Sequence, residues 1–137
     1  MTDGALGAFH ARPEPLVVVA DVGRSVAFYR DVLGASVEVQ WDSYARLRLG
    51  LGRIHLTLPS QQETPDKPGI SWRLQEGDAL TGEIVITVSD CRAAYAALLA
   101  RGAWFLGPPT EPPWGNEVRC FLRDPDRHLI ELAELHY

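Results

Sequence analysis

One strand–helix phrase occurs twice in this chain, and the repetition narrows the folds open to it more than any total does. Val17-Val18-Val19-Ala20-Asp21 runs into Arg24-Ser25-Val26-Ala27-Phe28-Tyr29-Arg30-Asp31-Val32-Leu33-Gly34. Further on, Ile84-Val85-Ile86-Thr87-Val88-Ser89-Asp90 runs into Arg92-Ala93-Ala94-Tyr95-Ala96-Ala97-Leu98-Leu99-Ala100-Arg101-Gly102. Each copy is a β-branched run, which suits a strand, followed by an Asp able to accept the orphan N–H groups of a helix's first turn. An amphipathic stretch follows, and a glycine suited to the left-handed C′ position closes it. Two copies of one module imply pseudo-symmetry, and pseudo-symmetry sets matching residues around one shared cavity.

The 137 residues, 46% of them hydrophobic, suit a single compact domain over 1–137, built as two small modules on a common core. A net charge of −5 with scattered basic residues offers nucleic acid no phosphate-tracking stripe. No apolar run approaches the roughly 20 residues that span a bilayer, and the first dozen residues lack the charged and apolar regions of a secretory signal. Cys91 and Cys120 show no CxxC spacing, which favours free thiols and a cytoplasmic location.

Read by period, Leu16–Ala20 is a short apolar strand, and the helix after it carries Val26, Tyr29, Val32 and Leu33 on one stripe. Val37–Gln40, Ser43–Leu49 and Arg53–Pro59 read as three further strands, the last two joined by a Gly50-Leu51-Gly52 hairpin. In the last of these, Ile54, Leu56 and Leu58 alternate with Arg53, His55 and Thr57, so His55 lies opposite the apolar trio. Residues about 60–80 form a polar join with one short strand, Ile70–Leu74. The second module then has a strand over Glu83–Val88 and a helix over about Cys91–Ala100. Strands near Ala103–Leu106, Glu117–Arg123 and His128–Leu132 follow, with Asp124-Pro125-Asp126-Arg127 as the turn before the last. The expectation is α+β: two pseudo-symmetric βαβββ modules, about 14–59 and 81–135.

That order, with the phrases VADVGRSVAFYRDVLGASV and LRDPDRHLIELAE, resembles the vicinal oxygen chelate superfamily over about Pro15 to Glu134. The superfamily includes glyoxalase I, bleomycin-resistance proteins, fosfomycin-resistance transferases and extradiol dioxygenases. The resemblance implies cup-shaped, curled mixed sheets, commonly completed in a homodimer, with a ligand in the cup and often a divalent metal beneath it. It also implies four ligand positions, which fall here on Glu14, His55, Glu83 and Glu131. The glyoxalase I pattern has His at the two strand-start positions and Glu at the two late-strand positions. Glu14, Glu83 and His55 depart from it, and only Glu131 matches.

Three carboxylates converging in one cup repel by roughly 3 kcal/mol per pair at 5 Å and an effective dielectric near 20. A divalent cation, arginine partners or protonation must then compensate. Three carboxylates and an imidazole suit Mn, Fe, Ni or Zn, whereas the two-His facial triad of iron oxygenases is missing. The four tryptophans, Trp41, Trp72, Trp104 and Trp114, fall in or beside strands and in the join, where their faces suit a planar or cationic ligand. Arg46, Arg48, Arg73 and Arg119 are strand residues able to hold an anionic ligand or neutralise the carboxylates. His10, His128 and His136 lie near the ends or in a turn. No nucleophile elbow or phosphate-cradling loop is present, and no catalytic residue is assigned.

The expected function is the binding of a bulky, partly aromatic small molecule such as an antibiotic, with Trp41, His55, Trp72, Trp104, Trp114 and Arg119 at the site. That binder needs no cofactor. The alternative is a divalent-metal lyase, isomerase or transferase using Glu14, His55, Glu83 and Glu131. The expected partners are the small molecule and a second copy of the chain, with no nucleic acid and no membrane.

Overall fold

The computed structural model describes residues 4–136. A short helix, α1 (Gly4–Gly7), precedes the first module, which comprises β1 (Leu16–Val18), α2 (Val22–Ala27), β2 (Ser36–Gln40), β3 (Tyr44–Leu49) and β4 (Gly52–Thr57). The second module comprises β5 (Ile84–Thr87), α3 (Cys91–Ala100), β6 (Glu117–Arg123) and β7 (Leu129–Leu135). Four strands form the first sheet in the order β1-β4-β3-β2, and three form the second in the order β5-β7-β6. In both sheets the strand before the helix pairs parallel to the last strand of its module, and that strand pairs antiparallel to its predecessor. The α+β class and the curled mixed sheets are as expected from the repeat.

The second module departs from the expected four strands. Ala103–Leu106 contributes only an isolated bridge, Phe105 to Leu122, because Ala103 and Phe105 turn into the core while the prolines that follow cannot extend a ladder. The short strand placed at Ile70–Leu74 is likewise reduced to a single bridge between Ser60 and Trp72. Lys67 holds that join in shape, donating to the carbonyl of Gln62 at 2.6 Å with its ammonium 5.3 Å from the Trp72 ring centroid.

Both helices start as the sequence implies. Asp21 accepts from the N–H of Arg24 at 3.0 Å and Asp90 from that of Ala93 at 2.9 Å, each cap being worth about 1 kcal/mol. Gly34, at φ +78°, takes the left-handed position after the first helix. Helix α2 then widens into a π turn over Phe28–Val32, which the 3.6-residue period did not foresee. Val26 and Tyr29 are buried as expected.

A single core joins the modules: Val19, Val26, Leu47, Ile54 and Leu56 from the first meet Val118, Leu122, Ile130 and Leu132 from the second. A polar seam ties them too. The buried Tyr29 hydroxyl donates to Asp124 Oδ2 at 2.7 Å, and Ser25 Oγ and the N–H of Ala20 donate to Asp126. Cys91 and Cys120 are free, buried thiols 3.7 Å apart, and burial pushes the Cys120 thiol up to about 12. No described helix is long and apolar enough to cross a membrane.

Candidate functional site

Alternation along β4 sends Ile54 and Leu56 into the core and leaves Arg53 and His55 on the opposite face. The parallel register sets Leu16 of β1 against His55, and the His55 N–H donates to the carbonyl of Pro15 at 2.9 Å. Glu14 is thereby delivered to the ring: His55 Nε2 lies 2.7 Å from Glu14 Oε1. On its other side, Nδ1 lies 2.5 Å from the Tyr44 hydroxyl, and Tyr44 stands two residues along β3 from Arg46, the residue opposite His55. The ring is thus held from both sides, by Glu14 at Nε2 and by Tyr44 at Nδ1. The hydrogen bond from His55, aided by the charges of His55 and Arg53, holds the Glu14 carboxyl below its ordinary range. Trp41, 66% exposed, continues the row, its ring 5.8 Å from that of Tyr44.

Next to this row, Glu38 gathers three arginines. Its oxygens lie 2.7 Å from Arg53, 3.1 Å from Arg46 and 3.8 Å from Arg48. Hydrogen bonds from Arg53 and Arg46 depress the Glu38 carboxyl. Arg53 also reaches Glu14 at 3.6 Å. Arginines therefore outnumber carboxylates on this face, so it is basic.

The second sheet carries the opposite charge. Along β7, Ile130 and Leu132 enter the core while Glu131 takes the other face, beside Val85 of β5 and Phe121 of β6. Glu131, only 7% exposed, shares a hydrogen bond with Glu83. Burial raises its carboxyl to about 7, the bond and charge of Glu83 push the same way, and Arg119 opposes them. Glu117, also buried, lies 3.8 Å from Arg119. The Arg119 guanidinium is held between two rings, 4.9 Å from the Trp114 centroid and 5.4 Å from that of Phe121. A hollow of about 300 Å³ opens beside it, walled by Leu106, Pro108, Thr110 and Phe121.

The four positions implied by the resemblance thus come together as two pairs, Glu14 with His55 and Glu83 with Glu131, on two different sheets. Among the described residues no group of three His, Cys, Asp or Glu is placed to hold a metal. The donors of one chain therefore fall into two pairs and not one set: both nitrogens of His55 are hydrogen-bonded, and burial with the neighbouring Glu83 raises the Glu131 carboxyl. Trp41 and Trp114 stand at these faces. Trp72 packs in the join under Lys67, and Trp104 lies exposed at the end of the second helix's return. Arg73 pairs with Glu76 on the join.

Several residues of the site escaped the sequence reading. Tyr44 was counted only as part of a strand, although its place two residues before Arg46 sets it on the His55 face. Glu38 gave no signal, since its role depends on a register shift between Val37 and Val39 in β2.

The model of the Glyoxalase/Bleomycin resistance protein/Dioxygenase superfamily matches residues 10–132. No curated protein matches the chain. Among solved structures, the chain is similar to a glyoxalase/bleomycin resistance protein/dioxygenase from Nocardioides. Identity is 24% over 91% of this chain and 85% of that one, with a TM-score of 0.72. A lactoylglutathione lyase from Agrobacterium tumefaciens aligns at 19% identity over 90% and 92% of the two chains, TM-score 0.70. TioX from Micromonospora sp. ML1 aligns at 20% over 90% and 95%, TM-score 0.65. At these identities the structures speak for the fold alone, whereas the family model spans nearly the whole repeat. With its duplicated strand–helix modules and curled sheets, the chain belongs to the glyoxalase/bleomycin resistance protein/dioxygenase superfamily.

Proposed function

We propose that the protein binds a bulky, partly aromatic small molecule, such as an antibiotic, and sequesters it without chemistry. The observation that carries this reading is the Trp114–Arg119–Phe121 stack, an ordered cation between two rings with Trp114 left 62% exposed. A planar ligand laid on the outer face of Trp114 gains stacking from an indole already fixed in place, so little ordering cost remains to be met on binding. The Trp41–Tyr44–His55 row offers a second aromatic surface with hydrogen-bonding groups at its end.

The binding site is completed by a second copy of the chain. The first face is basic and the second acidic, so a partner turned by a two-fold axis sets unlike charges against each other twice. Such an arrangement places the Glu14–His55 pair of one protomer over the Glu83–Glu131 pair of the other. The two free thiols suit a reducing, cytoplasmic setting.

Tryptophan fluorescence titrated with polyaromatic and glycopeptide antibiotics tests this reading. Saturable quenching is expected, and Trp114→Ala weakens it about fivefold to thirtyfold. Light scattering is expected to give twice the chain mass. No quenching by any compound, or a monomer at micromolar concentration, would count against it.

One observation favours the rival, a divalent-metal lyase, isomerase or transferase: the Glu131 carboxyl, near 7, is poised to exchange a proton at neutral pH. Elemental analysis of protein purified without chelator separates the two. The binder carries no stoichiometric metal, whereas about one equivalent per chain, lost in Glu131→Ala, would transfer the assignment to the enzyme.

A further inference from the structure

The pseudo-symmetry of the chain is also broken where the two modules meet, and this break leaves a hole. At the first seam, Ser25 and Tyr29 of the first helical segment face the β6–β7 turn, and Asp126 and Asp124 of that turn fill the space with hydrogen bonds. Aligning the two N-caps, Asp21 with Asp90, puts Ala94 where Ser25 stands and Leu98 where Tyr29 stands. The turn facing them is the β3–β4 hairpin, Gly50-Leu51, which is shorter than its counterpart and carries no carboxylate. Both sides of this second seam have lost the groups that close the first.

What stands there is a cleft of about 560 Å³. Its walls are apolar: Leu33 and Leu49 of the first module against Ile84, Ile86, Ala94 and Leu98 of the second. Leu51, 95% exposed, sits at its rim. The one charged side chain among its lining residues, Arg53, is already paired with Glu38 and Glu14. The cleft runs along β5, taking in Ile84, Val85, Ile86 and Thr87, with Ala94, Ala97 and Leu98 of α3 on its other side. Ile84 and Ile86 of this run pack against the core, and neither Glu131 nor His55 is among the cleft's lining residues.

The structure assigns this second seam as a separate binding site for a neutral, largely apolar small molecule. Neutrality follows from a lining with no unpaired charge, since an ion entering it would lose hydration without gaining a partner. The volume falls in the range of small-molecule pockets, about 300–1,000 Å³. The cleft shares Arg53 with the basic face but neither the Trp114–Arg119–Phe121 stack nor the Trp41–Tyr44–His55 row, so it is tested apart from them.

The neutral fluorophore N-phenyl-1-naphthylamine, titrated into the full-length protein, is the probe. Saturable binding of one molecule per chain is expected. Ala97→Trp, on the exposed cleft side of α3, and Ala94→Leu, which fills it from within, each weaken binding about tenfold or more. Trp114→Ala leaves it unchanged. Absence of binding would overturn the proposal, as would binding lost in Trp114→Ala but kept in both cleft variants. Binding that emerges only in Phe9→Ser would show that the chain's own N-terminal segment, with its exposed Phe9, occupies the seam, and would overturn it equally. So would binding that rises only as the protein dissociates on dilution, since a second copy would then own the cleft.

Discussion

Replacing Asp124 with alanine is expected to cost about 3–5 kcal/mol of folding stability, the largest loss of any single substitution outside the hydrophobic core. The Asp124 side chain is fully buried and satisfies four donors. The Tyr29 hydroxyl and His128 Nδ1 each lie 2.7 Å away, and the N–H groups of Asp126 and His128 each donate at 2.9 Å. Alanine would leave all four without this acceptor, the Tyr29 hydroxyl in the buried interior and the other three in a partly buried turn. For a domain whose total stability is of order 5–15 kcal/mol, that is a large share. Urea denaturation checks it: the midpoint should fall by about 1.5–2.5 M with the slope unchanged. Tyr29→Phe alone should cost about 1.5–3 kcal/mol, and almost nothing more once Asp124 is alanine, because both changes break the same bond. A loss below about 1 kcal/mol for Asp124→Ala would mean that the modules are not held together by this seam.

The second large effect depends on pH. Glu131 titrates at about 7 in the folded chain against 4.5 for an unperturbed glutamate. The fold therefore prefers the protonated form. That preference stabilises the protein fully below about 4.5 and is lost as pH rises through 7. At about 1.4 kcal/mol per pH unit, the difference amounts to about 3 kcal/mol at most. Glu131→Gln keeps the shape and a donor to Glu83 but has no proton to lose. It is expected to match the wild type at pH 4.5 and to exceed it by about 2–3 kcal/mol at pH 8.5. Glu14, Glu38 and Asp31 are depressed and act in the opposite sense, losing their stabilising contribution as pH falls. The comparison is therefore variant against wild type at each pH. Parallel stability curves for the two proteins would show that the Glu83–Glu131 contact does not form.

These two groups differ in how far the amino-acid sequence alone makes them legible. Glu131 was legible: alternation with Ile130 and Leu132 set it on the face away from the core, and family resemblance marked it. Asp124 was read only as part of a turn. Its four donors come from a helix of the other module and from its own loop, and nothing local in Asp-Pro-Asp-Arg announces that a tyrosine far back in the chain will end upon it. The pairing of Glu14 with His55 lay in between. Each was singled out, but their meeting depends on the parallel register of β1 with β4, which periodicity does not specify.

The strand–helix repeat, its capping aspartates and the period-two faces of β4 and β7 are local properties, decided by which side chains a few consecutive residues can bury and which backbone groups they can satisfy. They were therefore written in the sequence, and with them the fold class. Which faces meet is not local. The sequence left Glu14, His55, Glu83 and Glu131 as four candidates for one centre, and the chain's own folding parts them into a basic face and an acidic one. The open seam beside Ala94 and Leu98 is likewise a tertiary outcome, because a cavity exists only where two distant segments both fail to fill the space between them.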